Sequence, residues 1–310
     1  MEKSHTIGNV KLNLQYYTQK DIYSDGDIEQ WLLDTVKENG DIDYTDIISE
    51  NASWPVLYHL SSGREAILSW YPFDKEDSVL EIGAGCGAVT GALLHTCKNV
   101  TSLDLSLRRS EINAYRHRDA KNLEIIVSNF QNYASNTNDK FSVITLIGVL
   151  EYAALYIQNK KPFVELLKSA EDMLEPNGAI LIAIENRLGL KYFAGCREDH
   201  LGTFFSGIEN YKNEKSIKTF SKNEIVKVCQ EAGLNHCKFY YPYPDYKFPT
   251  CIYSDEWLPK KGELVNNIRN FDADRIVLFD ETKAFDGIIS AGLFPEFSNS
   301  FFIEARRKYE

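Results

Sequence analysis

Six consecutive residues, Gly83-Ala84-Gly85-Cys86-Gly87-Ala88, form a turn that could bind a cofactor. They follow a short apolar run and precede a helical pattern, which is the usual setting of a dinucleotide-binding turn. Glycine is needed where such a turn is tight and where the backbone must approach a ligand without an intervening Cβ atom. The spacing satisfies a dinucleotide fingerprint with alanine in its last place, but this fingerprint alone identifies no particular ligand.

Two acidic residues narrow the choice of ligand. Glu81 lies two residues before the first glycine, where its carboxylate would repel a pyrophosphate but would suit an amino group or a sulfonium. Asp104 ends the next predicted strand and is placed to accept hydrogen bonds from ribose hydroxyls, or else to cap the following helix. Nicotinamide enzymes also have an acid at the second position, so only Glu81 discriminates between the two kinds of cofactor.

A second concentration of reactive side chains lies in IENRLGLKYFAGCREDHLGTFF, residues 184–205. Cys196, Glu198, Asp199 and His200 are ligand types, but four side chains of one short turn rarely converge on a single ion. No second cluster of ligands is evident, so we expect no metal. His200 has the ordinary pKa of a base at neutral pH, although a surface histidine in a charged turn is an equal alternative.

Apolar runs and amphipathic helical patterns alternate from residue 78 onwards. This alternation predicts an α/β fold, with a doubly wound, mostly parallel seven-stranded sheet of the Rossmann-like kind. A helix is predicted to end at Pro176-Asn177-Gly178, and another to begin after Ser221, where Glu224 completes a capping box. The predicted strands are 78–83, 99–106, 123–129, 141–150, 179–186, 235–244 and 299–307.

Three segments follow from this pattern. Residues 1–77 are predicted to form an N-terminal helical cap, with a helix over 27–39. Residues 78–241 form the core, with an insertion at about 186–220 after strand five. Residues 242–310 form a lid or substrate segment plus the final strand, because connections this long are typical of lids and binding elements.

Composition indicates an ordinary globular protein and disfavours some functions. Of 310 residues, 44% are hydrophobic and 25% are charged, which permits a large core. The net charge of −11 disfavours nucleic-acid binding, which needs a dense basic surface. The six cysteines lack zinc-ligand or disulfide-framework spacing, and no run of 18 apolar residues occurs. We therefore expect a cytoplasmic protein without a transmembrane segment.

The motifs, taken in order, resemble those of class I S-adenosylmethionine-dependent methyltransferases. The similar stretches cover roughly residues 78–240, and several motifs in the right order are more specific than any one of them. The resemblance implies methyl transfer as the activity and S-adenosyl-L-methionine as the cofactor. The stretches are VLEIGAGCGAVTGALL, SLDLS, VSNFQNY, ITLIGVLEYA and PNGAILIAIEN.

The resemblance also implies the cofactor contacts. The glycine turn carries the methionine portion, and Asp104, followed by Leu105, holds the ribose. Asn129 and Phe130 flank the adenine, although a polar turn with a core aromatic is an alternative. The residues that end strand four lie under the methionine portion and the transferring methyl group. The expected set is Tyr17, Arg64, Glu81, Gly83, Ala84, Gly85, Gly87, Asp104, Leu105, Asn129, Phe130, Gly148 and Val149.

Two further groups of side chains are expected near the ligands. Tyr16, Tyr17 and Tyr23 would cover the cofactor, and Arg64 would pair with its carboxylate. Seven aromatic residues in 239–253 would form a wall for stacking a sugar, or would be core, which is favoured for at least half of them.

Methyl transfer from a sulfonium is an in-line displacement, and a hydroxyl acceptor needs a positioned base. The candidates near the carboxyl ends of the strands are Glu151, Glu185 and His200. Glu151 could instead be a solvated acid at a helix start. Asn186 and Arg187 are expected to hydrogen-bond a polyhydroxylated acceptor.

Stretches outside the core are similar to a bacterial methyltransferase subgroup linked to glycosyltransferases and surface polysaccharide assembly. The similarity implies O-methylation of a saccharide or related small molecule, and a glycosyltransferase as a partner. One alternative is an NAD-dependent sugar oxidoreductase, which Glu81 and the lack of a YxxxK dyad oppose. Another is a non-catalytic partner subunit, which the intact glycine turn disfavours. The stretches are DIYSDGDIE, YHLSSGREAIL, ENRLGLKYFAG and DYKFPTCIYSDEWLP.

Overall fold

The structure, a computed structural model, describes residues 3–18, 26–212, 214, 216–267 and 273–308. The chain divides into two compact units. The first unit comprises Met1–Leu146 and Asp172–Gly178, and the second comprises Ile147–Glu171 and Ala179–Glu310.

The first unit contains β1 (Ser4–Ile7), β2 (Val10–Asn13), β3 (Ser78–Ile82), β4 (Asn99–Asp104), β5 (Leu123–Val127) and β6 (Phe141–Ile147). The last residue of β6, Ile147, already belongs to the second unit. Their order is β1-β2-β5-β4-β3-β6. β1 is antiparallel to β2, and the other neighbours are parallel. β3 and β6 are almost continuously apolar and buried, as expected for parallel strands covered on both faces.

The strand order of the first unit creates a site for a ligand. Along the chain, β4 and β5 add to one side of β3, and β6 then pairs with its other side. Ligands bind outside the carboxyl ends of the strands at such a reversal of strand order. The glycine turn directly follows β3 and therefore lies at this point.

The helices of the first unit pack its N-terminal segment onto its core. Leu32, Leu33 and Val36 form one apolar cluster with Ile112, and a buried ion pair joins the same two helices. The helices are α1 (Ile28–Asn39), α2 (Thr45–Glu50), α3 (Trp54–Leu60), a 3₁₀ helix at Ser62–Ile67, α4 (Thr90–Leu94), α5 (Leu107–Arg116) and α6 (Phe130–Asn136).

The second unit is built on antiparallel strands. They are β7 (Leu174–Glu185, from Ala179 onwards), β8 (His236–Tyr243), β9 (Cys251–Ser254) and β10 (Ser300–Arg306), in the order β7-β10-β8-β9. Phe301, Phe302 and Tyr241 are fully buried and fill the core of this unit. The helices are a 3₁₀ helix at Leu150–Tyr152, α7 (Ala153–Tyr156), α8 (Pro162–Asp172, of which the residues up to Glu171 belong to this unit), α9 (Leu190–Phe193), α10 (Lys222–Glu231), α11 (Glu281–Ser290) and α12 (Phe294–Phe297).

The Rossmann-like fold was predicted correctly, but the seven-stranded, mostly parallel sheet was wrong. Ten strands occur among the described residues, and the added strands are the β1–β2 hairpin and β9. Each added strand has four residues, too few for a reliable alternating pattern. The N-terminal segment predicted to be helical therefore begins with a hairpin.

The predicted helix boundaries were mostly correct. α1 covers nearly the whole predicted span, and α10 begins with the predicted capping box of Ser221 and Glu224. The predicted stop at Pro176-Asn177-Gly178 was wrong, because α8 ends at Asp172 and these three residues already belong to β7. Among the described residues, no helix combines the length and the apolar character needed to cross a bilayer.

Candidate active site

The glycine turn is fixed by hydrogen bonds to the neighbouring strand β4. The backbone N–H groups of Gly83 and Ala84 donate to the carbonyl of Leu103, at 2.8 and 3.2 Å. The N–H of Gly85 donates to Oδ2 of Asp104 at 2.8 Å. The turn and the strand-two acid predicted from the sequence are thus in direct contact.

The backbone of the turn requires glycine. Gly83, Gly85 and Gly87 have φ values of +73°, +54° and +78°, a region that other residues enter only with strain. A Cβ atom at Gly87 would also lie 2.4 Å from Oδ1 of Asn113 on α5. The close approach of helix and turn therefore disfavours any larger residue there.

The N-cap residue of α5 is Ser106, and Asp104 lies two residues before it. Its Oδ1 accepts from the N–H of Ser106 at 2.9 Å, and Ser106 itself caps α5 by accepting from the N–H of Arg109 at 3.3 Å. The carboxylate is half-buried, and Leu105 beside it is half-buried as well. The ribose contact of Asp104 stays a prediction.

Glu81 is buried and joins β3 to its neighbours. Its Oε2 accepts from the hydroxyls of Thr90 and Ser102, at 2.7 and 2.6 Å. Burial raises the pKa of Glu81 to about 7, against the effect of these two hydrogen bonds. Its Oε1 is buried and accepts no hydrogen bond from the described residues. A contact between this oxygen and a cationic ligand stays a prediction.

The remaining predicted cofactor residues have local structural contacts. Asn129 caps α6 by accepting from the N–H of Gln131 at 2.9 Å, and Phe130 is buried. Arg64 is 3% exposed, and its guanidinium lies 4.2 Å from the ring centroid of Tyr58. These contacts neither require nor exclude a cofactor.

The predicted tyrosines differ in their positions. Tyr17 is half-buried in a turn after β2, where its N–H donates to the carbonyl of Leu14 at 3.1 Å. Tyr16 contacts the ring of Tyr133 with centroids 5.9 Å apart. Tyr23 lies outside the described residues.

Gly148 and Val149 belong to the second unit and directly follow β6 in the chain. Gly148 has a φ of +69°, and a Cβ atom there would lie 2.6 Å from the hydroxyl of Tyr246. The same Cβ would lie 3.5 Å from Oε1 of Glu151. The residues after β6 are therefore closely packed around the Glu151 carboxyl.

The three predicted catalytic residues converge in the second unit. Glu185 ends β7, Glu151 lies on the 3₁₀ helix after β6, and His200 lies in the loop after α9. Nε2 of His200 is 3.2 Å from Oε2 of Glu185 and 4.0 Å from Oε1 of Glu151. Nδ1 of His200 is 2.9 Å from the hydroxyl of Tyr152. Lys247 donates to Oε1 of Glu185.

Glu198 holds the loop that carries His200. Its Oε2 accepts from the backbone N–H groups of His200 and Leu201, at 2.9 and 2.7 Å. Its Oε1 accepts from the hydroxyl of Tyr211 at 3.0 Å. The imidazole is therefore positioned by its own backbone as well as by Glu185 and Tyr152.

The charges of this cluster are strongly coupled. Burial favours a neutral imidazole, but the carboxylates of Glu185, Glu151 and Glu198 raise the pKa of His200 to about 9. Burial would also favour a neutral Glu185, but the ammonium of Lys247 and the imidazole of His200 lower the pKa of Glu185 below its ordinary value. His200 is therefore charged and Glu185 ionised at neutral pH.

Glu151 is the exceptional member of the cluster. It has no exposed surface, and neither carboxyl oxygen is hydrogen-bonded to a described residue. Burial raises the pKa of Glu151 to about 8, although His200 opposes this shift. The alternative of a solvated acid at a helix start is therefore wrong. An acid with this pKa exchanges its proton near neutral pH, as a general base must.

The potential ligand side chains of residues 196–200 do not converge on one point. Cys196 is buried, and burial raises the pKa of its thiol to about 11. Within the described ranges, the residues close enough to one another to hold a metal ion together are Glu151, Glu185 and His200, whose ligand atoms lie within 4.8 Å of one another. The hydrogen bond to His200 and the ammonium of Lys247 occupy Glu185, and a neighbouring ammonium repels a cation. The expectation of no metal stays a prediction.

Two neighbours of Glu185, for which acceptor contacts are predicted, have structural bonds. The amide of Asn186 donates to the carbonyls of Glu296 and Ser298, each at 2.8 Å. Arg187 donates to the capping-box acid Glu224 at 2.6 Å. Both therefore brace the loops around β7.

Most of the predicted aromatic wall is core. Five of its seven rings are buried, and their partners are core phenylalanines such as Phe294 and Phe301. The preference for a core role in at least half of them was therefore correct. The buried members are Phe239, Tyr241, Tyr243, Tyr246 and Tyr253.

Sequence analysis missed Lys247, Lys191, Asp245 and Tyr152. The two lysines are 13% and 12% exposed and share the carboxylates of Asp199 and Asp245. The available signal was a lysine beside aromatic residues in each of two segments, LKYF and DYKF. The bonds from Lys191 to Asp245 and from Lys247 to Glu185 join residues 54 and 62 positions apart, which no local pattern reveals.

A sequence profile described as "Methyltransferase domain" matches residues 57–237, which is more than half of the chain. The chain belongs to this methyltransferase family. It is a class I S-adenosylmethionine-dependent methyltransferase, and S-adenosylmethionine is its cofactor. The turn at the strand reversal, the carboxylate of Asp104 and the close approach at Gly87 fit that cofactor. No curated protein shows significant sequence similarity to the chain.

Solved structures resemble the chain only weakly. A chain of the Haloferax volcanii Trm112 methyltransferase activator complex is 13% identical, with a TM-score of 0.49 over 86% of this chain and 97% of that one. An Archaeoglobus fulgidus S-adenosylmethionine-dependent methyltransferase is 14% identical, with a TM-score of 0.48 over 81% and 96%. A Thermotoga maritima methyltransferase is 16% identical, with a TM-score of 0.45 over 86% and 98%. The family match, and not these likenesses, identifies the chain.

Proposed function

We propose that this methyltransferase O-methylates a hydroxyl of a saccharide or related small molecule, with Glu151 as the base. The observation that carries the proposal is the Glu151 carboxyl, which is fully buried and has no hydrogen bond to a described residue. Its raised pKa of about 8 suits proton exchange at physiological pH. The resemblance to class I methyltransferases also implies that the residues after β6, which include Glu151, lie under the transferring methyl group.

The chemistry assigned to Glu151 is the removal of one proton. Bound S-adenosylmethionine supplies an electrophilic methyl group. The acceptor oxygen forms the new bond to carbon while its proton moves to the Glu151 carboxylate, and the carbon–sulfur bond breaks with its electron pair on sulfur. A sugar hydroxyl is weakly acidic and does not lose its proton readily. The buried carboxylate assists methyl transfer because it is held in position and is basic enough to accept that proton.

Glu185 and His200 support this base and do not replace it. His200 is already protonated at neutral pH, because its pKa is raised to about 9. Glu185 is ionised but is bonded to two cationic groups, Lys247 and His200, which makes it a poor proton acceptor. The charged imidazole lies 4.0 Å from Glu151 and favours the carboxylate that the reaction needs.

The choice of a saccharide acceptor is supported by sequence resemblance. Stretches such as ENRLGLKYFAG and DYKFPTCIYSDEWLP are similar to the subgroup linked to glycosyltransferases and surface polysaccharides. The proposal accordingly includes a glycosyltransferase as a partner. It also includes a cytoplasmic location, which the six free cysteines support.

The test combines binding with turnover. Calorimetric titrations with S-adenosylmethionine and with NAD should give heat with the first ligand alone. Transfer of a radiolabelled methyl group should then be measured on saccharides with free hydroxyls, with fully O-methylated analogues as controls. We expect label only on the free hydroxyls. Absence of S-adenosylmethionine binding would refute the proposal, and binding without transfer to any acceptor would favour a non-catalytic partner subunit.

A further inference from the structure

Lys247 buries its ammonium group beside the acid–base cluster of the second unit. It lies in the segment after β8, and its side chain is 13% exposed. Its Nζ donates to Oε1 of Glu185 and to Oδ1 of Asp199, the second at 2.7 Å, and lies 3.9 Å from Oδ1 of Asp245. These carboxylates raise the pKa of Lys247 well above its ordinary value, although burial opposes them. The lysine is therefore a permanent positive charge.

The two oxygens of Glu185 have different partners. Oε1 accepts from Lys247, and Oε2 faces Nε2 of His200 at 3.2 Å. The other ring nitrogen of His200 lies 2.9 Å from the hydroxyl of Tyr152. Lys247, Glu185, His200 and Tyr152 thus form one chain of polar contacts, and its imidazole lies next to Glu151.

We propose that Lys247 is a positioning residue of the methyl-transfer site. It keeps Glu185 ionised and bonded to His200, so that a charged imidazole faces Glu151 and favours its ionised form. This inference rests on the proposed role of Glu151 as the base. Lys247 is not the base in this role. It acts on Glu151 through its positive charge and through its hydrogen bond to Glu185, which faces His200.

Two effects of removing Lys247 have the same sign. Its positive charge directly lowers the pKa of Glu151, so its loss raises that pKa. A protonated Glu185 would also leave His200 without its principal counter-charge, and a neutral imidazole would no longer favour the Glu151 carboxylate. The lost charge of Glu185 acts in the opposite direction, but the charge of His200 has the larger effect on the pKa of Glu151. Several ionisable groups face this chain of contacts. They are Glu151 and Glu198 toward His200, Asp199 and Lys191 toward Glu185, and Asp199, Asp245, Tyr246 and Lys191 toward Lys247.

Lys191 provides a matched control. Its side chain is 12% exposed, nearly the same as that of Lys247. Its Nζ contacts the same two aspartates, Asp199 at 2.9 Å and Asp245 at 2.7 Å. Among the described contacts, however, its ammonium does not bond Glu185. Replacing either lysine removes one buried charge from the same carboxylates. Only the Lys247 replacement also removes a hydrogen bond to Glu185, on which Lys191 acts through charge.

The first experiment is the pH dependence of kcat for the full chain and its variants Lys247→Met, Lys247→Arg and Lys191→Met. In Lys247→Met, the rising limb of kcat against pH should shift to a higher pH by about one unit, which makes kcat about tenfold lower near pH 7. Lys247→Arg should restore most of the position of the limb. Lys191→Met should leave the limb where it is. An unmoved limb in Lys247→Met, or an equal shift in Lys191→Met, would overturn the inference.

A second measurement does not depend on turnover. Carbon-13 labelling of the glutamate carboxyls allows Glu151 to be titrated by NMR, with its signal assigned by its loss in Glu151→Gln. Binding of S-adenosylmethionine by calorimetry shows that each variant is folded. The Glu151 midpoint should rise in Lys247→Met and stay unchanged in Lys191→Met. If it does so while no variant transfers methyl groups, the proposed function fails and the electrostatic role of Lys247 stands. An equal midpoint in both variants contradicts that role even in an active enzyme.

Discussion

The glycine turn of the first unit and the acid–base cluster of the second unit are built in opposite ways. The turn is six consecutive residues, and its contacts to Leu103 and Asp104 are made by backbone N–H groups. The cluster takes its side chains from four separate segments, at positions 151, 185, 200 and 247. One site is fixed by local backbone geometry, and the other by long-range pairing of charges.

This difference separates binding from proton transfer. Glycine conformations and backbone donors do not titrate, so the pH dependence of cofactor binding should come from neighbouring carboxyls such as Glu81, whose pKa is about 7. The cluster depends on three coupled ionisations, of Glu151, Glu185 and His200, and should respond strongly to pH and to single charge changes. Changes in one region should therefore leave the function of the other intact.

The largest effect is expected from Glu151→Gln. Loss of the base should lower kcat by a factor of about 10² to 10⁴, while the Kd for S-adenosylmethionine changes by less than about twofold. Steady-state turnover and calorimetry measure the two quantities. Glu165→Gln makes the same change at an exposed position on α8 and should alter neither. An equal loss of cofactor binding in Glu151→Gln would show that the two regions are not separable.

Gly87→Ala is expected to weaken cofactor binding, which Glu151→Gln should leave unchanged. The new methyl group would contact Asn113 in a backbone region unfavourable for alanine, so cofactor affinity should fall by about tenfold or more. The control Gly292→Ala has a similar φ of +71° with open space around it, and should leave that affinity unchanged. Calorimetry decides the comparison, and normal binding by Gly87→Ala would contradict the role of the turn.

The sequence predicted the first region well because its determinants are contiguous. A glycine turn between a strand and a helix, with Asp104 at the end of the next strand, is visible in a short window. The structure adds that Asp104 itself binds the turn, at 2.8 Å from the N–H of Gly85. The β1–β2 hairpin was missed because two four-residue strands provide little periodicity.

The second region was only partly predictable. Glu151, Glu185 and His200 were identified because each is expected near the carboxyl end of a strand. Lys247 was missed, since nothing in DYKF indicates that its lysine bonds an acid 62 positions earlier. The structural partners of Asn186 and Arg187 lie in distant loops and were not predicted, and the acceptor contacts expected of these two residues stay a prediction.

A smaller effect is expected on stability. A raised pKa means that the folded chain holds the Glu151 proton more tightly than the unfolded chain, so Glu151 contributes less stability as pH rises from about 4.5 through about 8. The free energy of unfolding of Glu151→Gln minus that of the wild type should therefore increase as pH rises over this range, by on the order of 1 kcal/mol or more. Denaturant unfolding at several pH values measures the gap. A constant gap would contradict the raised pKa.

The smallest effect is expected from metal removal. Glu151, Glu185 and His200 could be mistaken for a cation site, but Lys247 occupies Glu185. Treatment with a chelator should leave kcat unchanged, and added Mg²⁺ or Zn²⁺ should not raise it. Restoration of lost activity by one of these ions would identify the cluster as a metal centre instead.

The pH dependence of kcat, measured between about pH 6 and pH 10 at saturating cofactor and acceptor, tests the central claim most directly. We predict a rising limb with a midpoint of about 8, set by Glu151, which disappears from the residual activity of Glu151→Gln. A limb near 6.5 that survives in Glu151→Gln and is lost in His200→Gln would show instead that a neutral His200 is the base.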